Sequence, residues 1–170
     1  MASLANSDYL QAVFQGAKDP EKCCKTSRAG RWHPPLDSVI KFNCDGAFSS
    51  FRSKAALGFL ARDSGGLALF WKSGKVIASS ALFTEAWALR IACGMAMDMG
   101  IKAAMFESDC KEVIDCLTKN NYQCPLEITV LVDDIKCWAC QKEWSFSWVH
   151  RDQNRVAHWL ATNSLARNFV

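Results

Sequence analysis

Three acidic residues of this sequence lie where a carboxylate is expected to do chemistry. Asp45 ends the strand-like run SVIKFNCD and Asp109 ends the strand-like run AAMFESD, and sites in α/β sheets gather at the carboxyl ends of strands. Glu85 lies in a helical pattern with small apolar residues at its i+3, i+4 and i+7 positions, as on a buried face. A carboxylate buried there must be paired, protonated or bound to a metal ion.

A divalent cation accounts for the three acids together. Each Asp alone has a structural alternative, since Asp45-Gly46 is a common turn pair and Asp109 could cap a helix that begins near Cys110. Glu85, however, has no Lys or Arg at its i−4 or i+4 position, and three carboxylates repel one another unless a cation lies among them. The pattern therefore favours Mg²⁺ or Mn²⁺, which hard oxygen ligands bind well.

The elements that must position these acids follow from hydrophobic periodicity. Period-two runs with β-branched and aromatic residues predict strands, and Ala-, Leu- and Met-rich runs with helical spacing predict helices. A turn signal, Ser64-Gly65-Gly66, joins the second and third strands as a hairpin. The predicted order is strands 38–45, 55–63 and 67–73, helix 83–99, strand 103–109, helices 110–121 and 126–142, strand 144–150 and a helix over 151–166. This order predicts an α/β fold with a mixed five-stranded sheet and helices packed on it.

Length and composition indicate one folded domain with an N-terminal extension. The chain has 170 residues, half of them apolar, which is enough for one sizeable core and too few for two. Residues 1–30 contain a polar run with little to bury, KDPEKCCKTSRAGR, and are predicted to be a disordered tail or linker. The folded domain is therefore predicted to span residues 31–170.

Charge, cysteine usage and targeting signals exclude several functional classes. The net charge of +3 predicts no global field for nucleic acid, so any such contact must be local. The first residues lack the basic segment and apolar run of a signal peptide, and charges interrupt the apolar stretch 81–105, so neither secretion nor a membrane span is expected. We expect an intracellular protein, cytoplasmic or nuclear, whose nine cysteines are reduced.

Five motifs in the same order carry a resemblance to a known family. They are KFNCDGAF, ARDSGG, TEAWALR, FESDC and WVHRDQNRVAHWLA, and they include all three acids. The sequence resembles the type 1 ribonuclease H family, most closely the plant reverse-transcriptase-like domains found in or derived from non-LTR retroelements. The resemblance implies a ribonuclease H-like fold and, in active members, metal-dependent hydrolysis of the RNA strand of RNA–DNA hybrids.

The resemblance also implies catalytic roles for single residues. Asp45 would bridge two metal ions, Glu85 and Asp109 would hold the ion nearer the leaving group, and His150 would assist proton movement. The family's fourth metal-binding carboxylate falls at His158, and an imidazole can ligate Mn²⁺ but is a poor ligand for Mg²⁺. The second metal ion is therefore expected to bind weakly and the activity to be reduced.

Substrate contacts are expected near the carboxylates. Hydroxyl groups would meet 2′-hydroxyls and basic groups would meet phosphates, and the candidates are Ser49, Ser50, Arg52, Lys54, Arg151 and Arg155. The segment TKNNYQCPLE between the second and third helices lacks the basic, Trp-containing handle of bacterial members. Two hypotheses remain open: an endoribonuclease that acts on hybrids, or a catalytically degenerate, retroelement-derived module that binds nucleic acid or a protein. The sequence does not set the oligomeric state, and a monomer is expected.

Overall fold

The computed structural model describes residues 31–52 and 54–166, so the predicted tail 1–30 lies outside the described residues. The strands are β1 (Ile40–Ser49), β2 (Lys54–Arg62), β3 (Ala68–Val76), β4 (Ala103–Ser108) and β5 (Glu143–Trp148). The helices are α1 (Ala81–Asp98), α2 (Lys111–Thr118), α3 (Leu126–Ala139) and α4 (Arg155–Ala166), and short 3₁₀ turns occur at Ser50–Arg52 and Arg151–Gln153. None of these helices has both the length and the apolar composition that a membrane span requires.

The strands form one mixed sheet in the order β3-β2-β1-β4-β5. β1 pairs antiparallel with β2 and parallel with β4, and β5 extends the parallel part. β1 continues past its predicted end at Asp45 because its pairing with β2 runs on as far as Ser49 and Lys54. The mixed five-stranded sheet predicted from the sequence is confirmed.

The main core lies between the sheet and helices α1, α2 and α3. The Phe106 ring stacks on Phe42 of β1 and on Phe146 of β5, with ring centroids 4.7 and 5.4 Å apart. The face of α1 that carries the small apolar residues predicted around Glu85 is fully buried in this core. This packing fixes α1 against β1 and sets the direction from which Glu85 approaches the sheet.

α4 packs on the opposite face of the sheet, directly against the backbone of β2. A Cβ at Gly58 would lie 2.6 Å from the backbone nitrogen of Ala161, so glycine is needed for this approach. Gly58 is the partner of Asp45 in the β1–β2 pairing, and directly paired residues share a face of the sheet. Asp45 therefore faces α4, together with Asn43 and Lys41 at alternate positions of β1.

The helix that carries His158 begins later than predicted. The N–H groups of Gln153 and Asn154 donate to the carbonyls three residues earlier, those of His150 and Arg151, at 2.8 and 3.0 Å. This i→i+3 pattern makes residues 151–153 a separate 3₁₀ turn, and α4 starts only at residue 155. The helix predicted over 151–166 is thus wrong at its first four positions.

Candidate metal centre

Asp45 lies within β1 and is only 2% exposed. Because the Asp45-Gly46 pair continues a strand, the alternative that it forms a turn is wrong. A Cβ at Gly46 would come within 2.7 Å of the backbone nitrogen of Glu85, so the glycine lets α1 approach β1. The Gly46 N–H donates to Glu85 Oε2 at 3.0 Å and fixes this carboxylate beside Asp45.

The start of α1 determines where Glu85 lies along β1. The Ser80 hydroxyl accepts a hydrogen bond from the Phe83 N–H at 3.0 Å and caps the helix. This cap explains why α1 begins at Ala81, earlier than predicted from periodicity. Glu85 then falls in the second turn of α1, between the fully buried Thr84 and Ala86.

Asp109 directly follows β4, the strand beside β1. The N-cap position of α2 belongs to Cys110, which forms no side-chain capping bond, so the capping alternative for Asp109 is not observed. The Asp109 carboxylate instead accepts a hydrogen bond from Asn154 Nδ2 at 3.2 Å. The same amide donates to the carbonyl of Cys44 at 2.8 Å, so Asn154 joins β1, Asp109 and the start of α4.

The three predicted carboxylates converge at one place. One ligand oxygen from each of Asp45, Glu85 and Asp109 lies within 4.8 Å of the other two. Burial and the neighbouring Asp109 raise the pKa of Asp45 to about 8, and burial together with the charges of Asp45 and Asp109 raises the pKa of Glu85. The positive charge near these carboxylates is therefore too small to balance them. Three hard oxygen donors at this spacing fit a divalent cation, and the cluster indicates a divalent metal site.

His158, in the first turns of α4, contacts the side of Asp45. Its Nδ1 lies 3.2 Å from Asp45 Oδ2. The guanidinium of Arg151 lies against the same ring, with Nη2 2.9 Å from Nε2 and 3.2 Å from Nδ1. Burial and the positive charge of Arg151 lower the pKa of His158, so the imidazole is neutral at neutral pH. The structure therefore brings His158 to the centre as a neutral neighbour of Asp45.

His150 follows β5 at the same edge of the sheet but has a different partner. Its Nδ1 accepts the Asp152 N–H at 3.3 Å and lies 3.2 Å from Asp152 Oδ2. The side chain is largely exposed. His150 thus contacts Asp152 rather than the three carboxylates.

The predicted substrate contacts form two groups in different elements of the fold. One group lies at the connection between β1 and β2 and consists of Ser49, Ser50, Arg52 and Lys54. The other consists of Arg151 and Arg155, which lie in the 3₁₀ turn and at the start of α4. Ser50, Arg151 and Arg155 are exposed, and Arg151 is joined to the centre through His158.

A second polar cluster on the α4 face was not predicted from the sequence. Lys41 Nζ lies 2.6 Å from Glu107 Oε1, with both side chains almost fully buried. Asn43 donates to Glu107 Oε2 and accepts from Arg62, whose guanidinium lies under the Trp32 ring, 3.6 Å from its centroid. We name these five residues the Lys41–Glu107 cluster. Lys41, Asn43 and Asp45 lie at alternate positions of β1, and this period-two pattern was the sequence signal that Lys41 and Asn43 share a face with Asp45.

The family of the chain follows from its match to known proteins. The model of the reverse transcriptase-like family matches residues 43–164, a range that contains the three carboxylates, Arg151, Asn154 and His158. A search of curated proteins gives no match. The plant and non-LTR retroelement origin suggested by the motifs stays a prediction.

Solved structures with the same fold include several ribonuclease H domains. The N-terminal ribonuclease H domain of a Mycobacterium tuberculosis protein has a TM-score of 0.68 and 18% identity, over 75% of this chain and 93% of that chain. Ribonuclease H1 of the archaeon Halobacterium salinarum has a TM-score of 0.68 and 21% identity, over 75% and 97%. A ribonuclease H1 isolated from compost, solved with an RNA/DNA hybrid, has a TM-score of 0.66 and 15% identity, over 74% and 96%. The chain therefore belongs to the reverse transcriptase-like family and has a ribonuclease H-like fold.

Proposed function

We propose that this protein is a metal-dependent endoribonuclease that hydrolyses the RNA strand of RNA–DNA hybrids. The observation that carries the proposal is the convergence of Asp45, Glu85 and Asp109 to within 4.8 Å on a ribonuclease H-like fold. Buried carboxylates without counter-ions lower stability, so stability does not account for their clustering. Binding of Mg²⁺ or Mn²⁺ does account for it.

The residues around the three carboxylates hold them in place before any substrate arrives. A bound divalent cation supplies an activated water and stabilises the leaving 3′-oxygen of an in-line phosphodiester displacement. Asn154 holds Asp109, and the Gly46 N–H holds Glu85. His150 uses Nδ1 to contact Asp152, so Nε2 is the ring nitrogen that would carry a proton to or from the reacting phosphate.

The proposed substrate is an RNA–DNA hybrid bound across the carboxyl edge of the sheet. The compost ribonuclease H1 supports this choice, since its structure contains an RNA/DNA hybrid. The hydroxyls of Ser49 and Ser50 would recognise 2′-hydroxyls of the RNA strand, and Lys54 and Arg155 would contact phosphates.

A second candidate function is a nucleic-acid-binding module with little catalysis. His158 favours it, because a neutral imidazole stands where the family resemblance implies a fourth carboxylate. If this change removes ~3 kcal/mol of transition-state stabilisation, the rate falls by about two orders of magnitude. Such a protein would keep its fold and its hybrid affinity while cleaving slowly.

Cleavage of an end-labelled RNA–DNA hybrid with Mg²⁺ and then with Mn²⁺ tests the proposal. The native protein is expected to cut the RNA of the hybrid but not the same RNA alone, and to cut faster with Mn²⁺. Asp45→Asn should remove cleavage but not hybrid binding, which controls for contaminating nucleases. Hybrid binding without cleavage, with either metal ion, would contradict the proposed ribonuclease activity and support the nucleic-acid-binding module. Loss of both properties in the native protein would contradict both functions.

A further inference from the structure

Asp45 has neighbours of opposite kinds on its two sides. Glu85 and Asp109 present carboxylates to it, whereas His158 presents a ring against which Arg151 lies. We propose that Arg151 supplies the second positive charge of this centre, so that one divalent cation binds the three carboxylates and Arg151 contacts the substrate phosphate beside it. The inference rests on the proposed nuclease function and replaces the expectation of a second, weakly bound metal ion.

The hydrogen-bonding groups of His158 link Arg151 to Asp45. A neutral imidazole has one N–H donor and one acceptor nitrogen. When a bound cation keeps Asp45 ionised, its carboxylate can only accept, and the 3.2 Å contact to Oδ2 then places the proton on Nδ1. Arg151 Nη2 lies 2.9 Å from Nε2 and 3.2 Å from Nδ1, so the guanidinium packs on the ring between its two nitrogens. The guanidinium, the imidazole and the carboxylate therefore form a continuous chain, and His158 acts as its middle member rather than as a metal ligand.

The formal charges of the centre agree with a single divalent cation. The three carboxylates carry three negative charges when ionised, and Arg151 supplies one positive charge, so two negative charges remain. A carboxylate in place of His158 would add a fourth negative charge and leave three after Arg151 is counted, one more than a single divalent cation balances. The Arg151 guanidinium lies against the His158 ring, which contacts Asp45, so the field of its charge extends to these ligands. The same field repels a second cation on this side.

The turn that carries Arg151 is held by hydrogen bonds while the side chain stays exposed. The Arg151 carbonyl accepts the Asn154 N–H at 3.0 Å, and Gln153 Nε2 donates to the Arg31 carbonyl at 3.1 Å. The Arg151 guanidinium offers five N–H donors, more than the His158 ring occupies, and it is accessible to solvent. A guanidinium binds a phosphate through paired N–H groups, so a backbone phosphate of the hybrid is the partner that fits.

Binding of Mn²⁺ to the metal-free full-length protein, followed by electron paramagnetic resonance, tests the charge count without cleavage. The native chain is expected to bind one Mn²⁺, and His158→Asp to bind two with the spectral broadening of paired ions. Arg151→Ala should still bind one ion, several-fold more tightly, because a repelling charge is lost. Lys142→Ala removes an equal charge from a partly exposed site directly before β5, at the end of the parallel strands opposite the carboxylates, and should leave the Mn²⁺ affinity unchanged.

Hybrid binding tests the phosphate contact. Arg151→Ala is expected to weaken hybrid binding about tenfold, as for the loss of a charged bidentate pair, and Arg151→Lys should weaken it less. A hybrid with an uncharged methylphosphonate at the cleavage position should bind the native and Arg151→Ala proteins equally. A tenfold difference that persists with this probe would contradict the phosphate contact.

The outcomes separate this inference from the nuclease proposal. If the native protein cleaves hybrids and binds two Mn²⁺ ions, the role proposed for Arg151 is contradicted and the nuclease proposal stands. If the native protein binds one Mn²⁺ ion but does not cleave hybrids, the nuclease proposal is contradicted and the charge count of the centre stands. Unchanged Mn²⁺ affinity in Arg151→Ala also overturns the inference. Circular dichroism of every variant confirms that each has folded.

Discussion

Two polar clusters lie on one face of the sheet, and the same two strands build both. In the Lys41–Glu107 cluster, a cation and an anion lie 2.6 Å apart, and Asn43 bonds to the same carboxylate. Two residues further along β1 and β4, Asp45 and Asp109 meet another carboxylate instead of a cation. The first cluster thus contains its own counter-ion, and the second requires one from outside.

The difference between the clusters is also visible in their titration. Burial lowers the pKa of Arg62 to about 10, with the charge of Glu107 acting against this shift, so Arg62 keeps its charge at neutral pH. Burial and Asp109 raise the pKa of Asp45 to about 8, so the carboxylate cluster holds protons when no metal is bound. A buried polar cluster with internal partners supports the fold, and one without them is suited to a ligand.

The largest expected effect comes from Asp45→Asn. Loss of this ligand should lower cleavage by about 1000-fold or more, equivalent to about 4 kcal/mol of transition-state stabilisation. The melting temperature of the metal-free protein should stay equal or rise, because Asn is neutral in this buried site without having to take up a proton. Initial rates with Mn²⁺ and thermal denaturation in EDTA measure the two effects. A large loss of stability in EDTA would mean that the Asp45 carboxylate stabilises the fold, as the Glu107 carboxylate is expected to do.

Glu107→Gln is expected to show the opposite profile. It leaves Lys41 buried without its counter-ion, which should lower the free energy of unfolding by about 3 kcal/mol. The matched change Glu85→Gln also neutralises a glutamate, but it should not lower metal-free stability, because Glu85 faces other carboxylates. Urea unfolding of both variants in EDTA makes the comparison. Equal losses would remove the distinction between the two clusters.

The pH dependence of stability should follow the carboxylate cluster. Between the unfolded pKa of 3.8 and the folded value of about 8, the folded metal-free protein holds a proton on Asp45 that the unfolded chain has released. Its stability should therefore fall as the pH rises through this window, by about 10 °C in melting temperature between pH 5 and pH 8. Asp45→Asn should flatten the profile, and Mn²⁺ should stabilise the native protein more at pH 8 than at pH 5. A metal-free melting temperature that rises over this range would refute the prediction.

The smallest expected effect is that of Trp32→Ala. The change removes the ring over Arg62 and the Nε1–H donor to Asn43 Oδ1 at 3.0 Å, and should cost about 1–2 kcal/mol in the free energy of unfolding. Trp32→Phe keeps a ring face and should cost roughly half as much. Neither change should alter Mn²⁺ affinity, since the Lys41–Glu107 cluster contains its own counter-ion. An altered affinity would show that the two clusters are coupled.

The three carboxylates could be predicted because each lies in a local pattern. Asp45 and Asp109 follow recognisable period-two runs, and the small residues on one face of α1 marked Glu85 as buried. His158 was located by a motif, and the structure places it against Asp45. The order of strands and helices was also predicted from runs of neighbouring residues, which is why the predicted mixed sheet is correct.

The contacts that the sequence did not predict join side chains from different elements of the fold. Lys41 meets Glu107 only because of the parallel register between β1 and β4. Arg151 reaches His158 because a 3₁₀ turn precedes α4, whereas helical periodicity extends without a break through both residues. Periodicity reports which face is buried, but it does not report which polar side chains from different elements meet there.

The Asn154 side chain makes activity sensitive to the docking of the C-terminal helix. Its amide joins the Cys44 carbonyl of β1 to Asp109, and α4 carries His158 to Asp45. Undocking of α4 would therefore release Asp109 and remove His158 in one step while the sheet stays paired. Partial openings of this kind precede global unfolding, so heat would inactivate the proposed nuclease below its melting temperature, and amide hydrogens of α4 would exchange before those of β1.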